Sequence, residues 1–168
     1  GMAQALPGDP APARRVRYFG HGTTVATNAL ITHRGATVGL ITSEGFRDLL
    51  EIGRQKRPSL YDMFADKPET LAARRLRLEV PERLRHDGTV ETPLDEGAVR
   101  RAAEALREAG VGAVAICFLY SFVDPAHEQA ARRIVEEVLP GAYVTCSHEI
   151  APEFREFERL STTVVNSY

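Results

Sequence analysis

Hydrophobic residues recur along the chain at two alternating spacings, which predict strands and helices in turn. Continuous apolar runs, which are typical of buried strands, lie at residues 36–42, 111–120 and 142–146. Apolar residues at helical spacing predict amphipathic helices that begin near Asp95, Asp124 and Pro152. Because strands that alternate with helices generally form a parallel sheet covered by those helices, the pattern predicts an α/β fold.

Shorter patterns fill the first part of the chain. A strand is predicted at residues 14–19 and a helix at residues 24–33, with Gly35 as the left-handed cap of that helix. A short helix over residues 46–50 is predicted to end at Gly53. These elements continue the alternation of strands and helices.

The middle of the chain predicts a loop, a strand and a hairpin. Residues 53–71 have weak periodicity and two prolines, as in long loops that often carry function. Residues 75–80 alternate in polarity and predict a half-buried strand, with Leu76, Leu78 and Val80 on the buried side and Arg75, Arg77 and Glu79 on the other. A turn signal at residues 86–89 predicts a β-hairpin over residues 84–91.

The predicted architecture is a single α/β domain over residues 14–168, after a flexible leader at residues 1–13. Its sheet is mostly parallel and flanked by helices, with an added β-hairpin. Gly1 before Met2 is typical of the remnant of a cleaved tag. An apolar stripe at helical spacing runs to Tyr168 without a stop signal, so we expect the chain to be part of a longer protein.

Composition and charge change this picture little. A formal net charge of −2 gives no indication of binding to nucleic acid or to an anionic membrane. The sequence contains no apolar run of membrane-spanning length and no secretory signal. Cys117 and Cys146 lie in apolar runs, which predicts buried free thiols in a cytoplasmic protein rather than a disulfide or a metal site.

The stretch from Phe19 to Leu30 has the strongest functional character in the chain. It combines the end of a strand, a turn in which Gly20 and Gly22 bracket His21, and the start of a helix. Backbone N–H groups and the helix dipole at such a position favour an anion. The stretch is therefore a candidate binding site.

Two interpretations of its residues stay open. His21 can bond a phosphate or a carbonyl, or it can simply hold the turn between Gly20 and Gly22. Thr23 and Thr24 can bind phosphate or metal-bound water, or they can only cap the helix.

The loop after Gly53 carries three cations and a tyrosine: Arg54, Lys56, Arg57 and Tyr61. These side chains can clamp a carboxylate or a phosphate. They fit a solvated face or a contact with a partner equally well, because Arg and Tyr are enriched at interface hot spots.

Standard catalytic motifs are missing. The sequence has no Walker-type loop, no G-x-G-x-x-G, no H-E-x-x-H and no paired C-x-x-C, and its Ser, His and Asp residues lack the spacing of a triad. No catalytic base, nucleophile or metal ligand is assigned from the sequence.

Several motifs in register nevertheless resemble the N-terminal region of the hydantoinase A/5-oxoprolinase family. They occur in the family's order at residues 21–30 (HGTTVATNAL), 45–48 (GFRD), 53–55 (GRQ), 57–58 (RP), 60–62 (LYD), 152–159 (PEFREFER) and 161–164 (STTV), followed by Asn166 and Tyr168. The resemblance covers the chain beyond its leader.

The resemblance implies part of an ATPase lobe similar to those of actin, Hsp70 and the sugar kinases, without its first strands. It implies that the full-length protein binds ATP and Mg²⁺, and that ATP activates a cyclic amide or a ketone by phosphorylating its oxygen. A hydantoinase B-like subunit or domain would then complete ring opening or carboxylation. His21, Gly22, Thr23 and Thr24 are the implied nucleotide or substrate contacts, with Arg54 and Arg57 as further anion contacts.

One departure concerns the phosphate loop. The family opens with an acidic, glycine-rich loop of the type D-x-G-G-T-x-T-D, which this sequence does not contain. We therefore expect the chain by itself to hold no cofactor, to hydrolyse no ATP and to open no ring. Loss of the first strands would leave a sheet edge unpaired, which predicts a dimer through that edge.

Two hypotheses of different classes follow. In the first, the chain is a fragment of an ATP-dependent hydrolase subunit that activates a hydantoin or 5-oxoproline for ring opening. In the second, it is a non-catalytic module for subunit assembly. The ATP-using subunit of an acetone carboxylase-like enzyme is a further alternative, since the sequence does not choose among these substrates.

Overall fold

The computed structural model describes residues 23–56, 58–59, 61–62 and 64–168, and the strand predicted at residues 14–19 lies outside them. The chain divides into two units, and the boundary between them in the sequence lies between Arg34 and Gly35.

The described part of the first unit contains helix α1 (Val25–Thr32). Thr23 Oγ1 accepts a hydrogen bond of 3.3 Å from the N–H of Val25. The prediction of Gly35 as the left-handed cap is wrong: His33 takes that conformation, with φ of 51°. The N–H of Arg34 then bonds the carbonyl of Ala29 at 3.0 Å, which closes the helix before Gly35 is reached.

The second unit is an α/β domain. Its described strands are β1 (Val38–Ser43), β2 (Arg77–Val80), β3 (Arg83–Leu84), β4 (Val90–Thr92), β5 (Ala113–Cys117) and β6 (Tyr143–Cys146). Its described helices are α2 (Leu49–Ile52), α3 (Glu96–Glu108), α4 (Ala126–Val138), α5 (Ser147–Ile150) and α6 (Glu156–Ser167). A 3₁₀ turn at Arg74–Leu76 leads into β2.

Four of the strands form one parallel sheet in the order β2-β1-β5-β6. In this sheet Leu40 and Ile41 of β1 pair with Ala115 and Ile116 of β5. Strands β3 and β4 form a separate antiparallel hairpin. The mostly parallel sheet with an added hairpin is therefore confirmed.

Helices cover both faces of the sheet. On one face, α3 and α4 pack on Ile41 and Ile116, and on the other face α6 packs on Leu40 and Ala115. Each β1 side chain enters one core or the other because neighbouring residues of a strand point to opposite faces. Gly39 lets α3 come close, since a Cβ there would lie 2.7 Å from Leu106 Cδ2.

The predicted helix signals are largely confirmed. Asp95 caps α3 by accepting a 2.8 Å bond from Ala98 N–H, and Gly110 follows that helix with φ of 69°. Asp124 accepts a 2.9 Å bond from Ala126 N–H at the start of α4, whose N-cap is Pro125.

Strand β2 departs from its prediction. It begins at Arg77 rather than residue 75, and the side chain of Arg77 is buried instead of exposed. Arg77 Nε donates a 2.8 Å bond to the carbonyl of Ala72, and Nη2 pairs with Glu51 at 2.8 Å. These acceptors compensate part of the loss of hydration, although Nη1 has no hydrogen-bond partner in the described part of the chain. The one-turn helix α5 was not predicted.

The predicted burial of both cysteines is confirmed, and neither of them forms a disulfide. Among the helices formed by the described residues, none combines the length and the apolar character needed to span a lipid bilayer. The expected dimer through a sheet edge stays a prediction.

Candidate functional site

The carboxyl ends of the parallel strands form the most polar buried region of the domain. From β1 the chain builds β2 on one side and later β5 on the other, so the strand order reverses between β1 and β5. In open α/β sheets, ligands characteristically bind outside the carboxyl ends of the strands at such a point. Two connected groups of polar side chains lie along this edge.

The first group is centred on Glu82, whose side chain is fully buried. One carboxylate oxygen accepts a hydrogen bond from the hydroxyl of Ser43, the last residue of β1. The other lies 2.9 Å from Nδ1 of His127, in the first turn of α4. Ser43 Oγ also accepts a 2.9 Å bond from Leu119 N–H. This group ties the ends of β1, β2 and β5 to α4.

The order of contacts argues against a hydrolytic triad here. In a triad the histidine stands between the nucleophile and the carboxylate. Here Glu82 stands between Ser43 and His127, so the imidazole is not placed to take the serine proton.

The second group is centred on Glu128, the residue after His127, whose side chain is also fully buried. Its Oε1 accepts bonds from Phe118 N–H at 2.9 Å and from Ser147 Oγ at 2.5 Å. Its Oε2 accepts from His148 N–H at 3.0 Å and lies 2.6 Å from His148 Nδ1. The carboxylate thus joins the ends of β5 and β6.

Arg159 of α6 completes this second group and is buried, with 1% exposure. Its guanidinium donates to Ser147 Oγ at 3.2 Å, to the carbonyl of Glu153 at 2.6 Å and to the carbonyl of Phe118 at 2.9 Å. It also lies over the ring of Phe122 at 5.2 Å. Charged residues three and four positions apart on a helix are typical of surface pairs, but Arg159 is buried.

The polar face of α6 explains why Arg159 is buried. Thr163 and Ser167 follow it at intervals of four residues, so the three share one side of the helix, and all are buried. A polar stripe at this spacing, beside Leu160 and Val164, is the signal in the sequence that could have identified Arg159 as a buried residue. Sequence analysis assigned no role to Glu82, His127, Glu128 or His148.

The two cysteines lie beside this group and are poor nucleophiles. Burial, followed by the negative charge of Glu128, raises the pKa of Cys117 to about 12. The same causes raise the pKa of Cys146 to about 12. Because the thiolate is the reactive form, neither thiol is suited to covalent catalysis at neutral pH.

A second candidate region is a cleft beside the long loop. It encloses about 560 Å³, a typical volume for a small-molecule site, and its walls include Leu50, Pro68, Phe157, Arg54 and Lys56. Apolar walls with a few charged groups are suited to a small, partly polar ligand.

Arg54, at the rim of this cleft, already forms a salt bridge with a residue of the same domain. Its Nε donates a 2.6 Å bond to Glu158 of α6, and 54% of its side chain is exposed. An anionic ligand would therefore compete with the Glu158 carboxylate for the guanidinium.

The structure describes only part of the site predicted from sequence. His21, Gly22 and Arg57 lie outside the described residues. Thr23 and Thr24 belong to the first unit and Arg54 to the second, so each group is described by itself.

The described residues fit a phosphate group better than they fit Mg²⁺. In the first unit, the Thr23 and Thr24 hydroxyls lie at the start of α1, where a phosphate is favoured. Mg²⁺ in proteins is generally bound through carboxylates, and residues 23–34 contain no Asp or Glu. No step is therefore assigned to Mg²⁺ at these residues.

Comparisons with known proteins identify relatives of this fold and sequence. The model of the hydantoinase/oxoprolinase N-terminal region matches residues 2–139. The chain is 43% identical to caprolactamase subunit alpha of Pseudomonas jessenii over 150 residues, which is 88% of this chain and 22% of that protein. It is 34% identical to the acetophenone carboxylase gamma subunit of Aromatoleum aromaticum, over 92% of this chain and 23% of that protein.

Solved structures agree with these matches. The crystal structure of the ATP-dependent caprolactamase from Pseudomonas jessenii superposes with a TM-score of 0.83 at 43% identity, over 88% of this chain and 22% of that chain. A nucleotide-free acetone carboxylase superposes with a TM-score of 0.76 at 28% identity, over 85% of this chain and 22% of that chain. The family model covers most of the chain, and the chain belongs to the hydantoinase/oxoprolinase N-terminal region family.

Proposed function

We propose that the chain is part of an ATP-dependent subunit that activates a cyclic amide for ring opening. The similarity to the ATP-dependent caprolactamase, 43% identity with a TM-score of 0.83, is the observation that carries this proposal. The chain spans about a fifth of the length of that relative, so the activity is proposed for the full-length protein.

ATP would supply a phosphoryl group to the amide oxygen, which makes the ring carbon more electrophilic. Such a transfer depends on positioning and on stabilisation of charge rather than on a protein nucleophile. In this proposal His21, Gly22, Thr23 and Thr24 hold the nucleotide or the substrate, and Arg54 and Arg57 contact anionic groups. The absence of an assigned base or nucleophile among them is consistent with this chemistry.

The cleft beside the long loop supports a small substrate. Its volume of about 560 Å³ accommodates a single ring, and the apolar side chains of Leu50 and Phe157 suit the methylene groups of a lactam. Arg54 and Lys56 at the cleft suit an attached carboxylate or phosphate.

We propose further that a partner completes the reaction. Two relatives are named as subunits, alpha of a caprolactamase and gamma of an acetophenone carboxylase. A hydantoinase B-like subunit or domain would open the activated ring in a cytoplasmic assembly. The 168-residue chain alone would be inactive.

A second candidate function is the ATP-using part of a ketone carboxylase. The superposition on acetone carboxylase favours it, with a TM-score of 0.76. The identity to that structure is 28%, against 43% for the caprolactamase, and this difference ranks the amide hydrolase first.

The test uses the full-length protein with its partner subunit. ADP release is measured with 5-oxoproline, hydantoin and caprolactam, and with acetone plus bicarbonate. Stimulation by one of the cyclic amides supports the first function, and stimulation only by the ketone with bicarbonate supports the second. ADP release that responds to none of these substrates contradicts both.

Variants then separate catalysis from assembly. Thr23→Ala, Arg54→Ala and Arg57→Ala are each expected to lower kcat/KM about tenfold or more while the subunits stay assembled in size-exclusion chromatography. Arg100→Ala is the matched control, because Arg100 forms an exposed pair with Glu137 as Arg54 does with Glu158. Loss of assembly in the first three variants, with normal turnover by the remaining complex, would instead identify an assembly module.

A further inference from the structure

Two residues of the second polar group, together with a cysteine beside it, converge as a set of metal-ligating side chains. Glu128, Cys146 and His148 each place one ligand atom within 4.8 Å of the others. Glu128 and Cys146 are fully buried, and 13% of the His148 side chain is exposed. A carboxylate, a thiol and an imidazole therefore converge in one protected place.

We propose that Glu128, Cys146 and His148 form a binding site for one divalent transition-metal ion of the zinc type. Thiolate, imidazole and carboxylate are the ligands that zinc takes in proteins, and the thiol disfavours Mg²⁺ and Ca²⁺. Three protein ligands leave a fourth position of a tetrahedral site for water or another ligand. This inference does not depend on the activity proposed for the full-length protein.

The three ligands are already held together by hydrogen bonds among themselves. His148 Nδ1 lies 2.6 Å from Glu128 Oε2, and Cys146 Sγ lies 3.7 Å from the carbonyl oxygen of Glu128. A metal ion would bond Nδ1, Oε2 and Sγ in place of these two contacts. The other oxygen, Oε1, stays anchored by Phe118 N–H and Ser147 Oγ, so the carboxylate keeps its orientation.

Each ligand comes from a regular part of the backbone. Glu128 lies in the first turn of α4, Cys146 is the last residue of β6, and His148 lies in α5. Hydrogen bonds and packing limit the movement of these elements, so little ordering of the chain is needed when the ion binds.

A carboxylate lies near the second ring nitrogen of the histidine, beyond hydrogen-bond distance. Metal-bound histidines generally donate their second ring N–H to a carboxylate or a carbonyl. His148 Nε2 lies 4.0 Å from Glu149 Oε1, and Glu149 is held at 2.6 Å by Arg132 Nη1. If Nδ1 binds the metal, Nε2 carries the ring proton, and the negative charge of Glu149 lies near it.

The local charge favours a cation at the thiol. Glu128 is one of the ligands and Glu149 lies 4.0 Å from His148 Nε2, while Arg132 pairs with Glu149 and Arg159 bonds Ser147 Oγ on the far side of Glu128. A dication beside Glu128 would balance this charge and would also keep the coordinating sulfur deprotonated.

Zinc chloride and cobalt chloride are the probes for the test, with the 168-residue chain. Equilibrium dialysis is expected to show one Zn²⁺ per chain, and Co²⁺ is expected to give the near-ultraviolet charge-transfer band of a cobalt–thiolate bond. Zinc is also expected to raise the melting temperature, because a ligand that binds only the folded state stabilises it.

Variants identify the ligands. Cys146→Ser and His148→Gln are expected to abolish stoichiometric binding, and Cys146→Ser also removes the cobalt band. Cys117→Ser is the matched control, because Cys117 is the other buried free thiol and is not one of the three converging ligands. Glu149→Gln removes a negative charge 4.0 Å from His148 Nε2, at an exposed position, and is expected to weaken zinc binding several-fold without loss of fold.

Several outcomes would overturn the proposal. They are an absence of stoichiometric zinc on the unmodified chain, a cobalt spectrum without a thiolate band, and binding that Cys146→Ser retains or that Cys117→Ser removes. If circular dichroism shows that a buried variant is unfolded, the unmodified chain and Glu149→Gln still decide the question.

Discussion

Glu128 and Arg159 hold the same residue, Phe118, from opposite faces of the sheet. The Glu128 carboxylate accepts a 2.9 Å bond from the N–H of Phe118, and Arg159 Nη2 donates a 2.9 Å bond to its carbonyl. Helix α4 supplies the carboxylate on one face and α6 supplies the guanidinium on the other. The peptide just beyond β5 is thereby fixed where the carboxyl edge of the sheet begins.

Loss of Glu128 should be costly. Glu128→Ala leaves the buried N–H groups of Phe118 and His148 without an acceptor and removes the carboxylate that pairs with the His148 ring. We expect the free energy of unfolding, measured with urea, to fall by about 3–5 kcal/mol, as when a buried ion pair loses one partner.

Glu137→Ala is the control for this change, because Glu137 lies on the same helix in an exposed pair with Arg100. An exposed pair contributes little, so this variant should unfold close to the unmodified chain. Equal effects of the two substitutions would show that Glu128 does not hold the carboxyl edge.

Arg159 should resist replacement even by lysine. Its guanidinium bonds Ser147, Glu153 and Phe118 at once, and a single ammonium cannot reach acceptors in three directions. We expect Arg159→Lys to lower the free energy of unfolding by about 1–3 kcal/mol, because buried acceptors lose their donors.

The neighbouring Arg155→Lys serves as the control, since Arg155 is exposed. It should leave the urea midpoint nearly unchanged. A urea midpoint of Arg159→Lys equal to that of Arg155→Lys would show that the hydrogen bonds of the Arg159 guanidinium do not stabilise the fold.

Gly39 should not tolerate a methyl group. A Cβ at this position would lie 2.7 Å from Leu106 Cδ2, inside van der Waals contact, in the core between β1 and α3. We expect Gly39→Ala to cost about 1–3 kcal/mol of unfolding free energy, as overpacking usually does.

Gly112→Ala is its control, because a Cβ there would lie at an ordinary 3.8 Å from Ala36. A double variant, Gly39→Ala with Leu106→Ala, should be less destabilised than the sum of the two single variants, because the clash disappears. Strict additivity would argue against a direct contact.

Alkaline pH should destabilise the domain through its thiols. Burial raises the pKa of Cys117 and of Cys146 from 9.0 to about 12. Between these values the unfolded chain releases thiol protons that the folded chain retains, so stability falls as pH rises from about 9 towards 12. Well below pH 9 these groups are protonated in both states and contribute no slope.

Urea unfolding of the metal-free chain at several pH values measures this slope. A variant with Cys117→Ala and Cys146→Ala should show a shallower decline above pH 9 than the unmodified chain. Identical declines would mean that the thiols ionise equally in both states.

Much of the fold could be predicted because its signals are local. The spacing of Val99, Ala103 and Leu106 shows the buried face of α3, and Asp95 marks its start. The same kind of reasoning failed at Arg77 and Arg159. Both are charged residues whose acceptors are main-chain carbonyls or side chains brought close by folding. The period of a strand or helix shows which face a residue occupies, but not whether that face has acceptors for a charge.

The candidate sites divide in the same way. Sequence motifs identified the family, because contiguous residues can be compared directly, and the stretch from His21 to Thr24 stays a predicted site. The sequence by itself determined the family and, apart from the one-turn helix α5, the order of the strands and helices described from β1 onwards. Only the tertiary structure brought Glu128 beside Cys146 and His148. Their meeting depends on the parallel crossover from β5 through α4 to β6, which places the start of the helix against the end of the next strand.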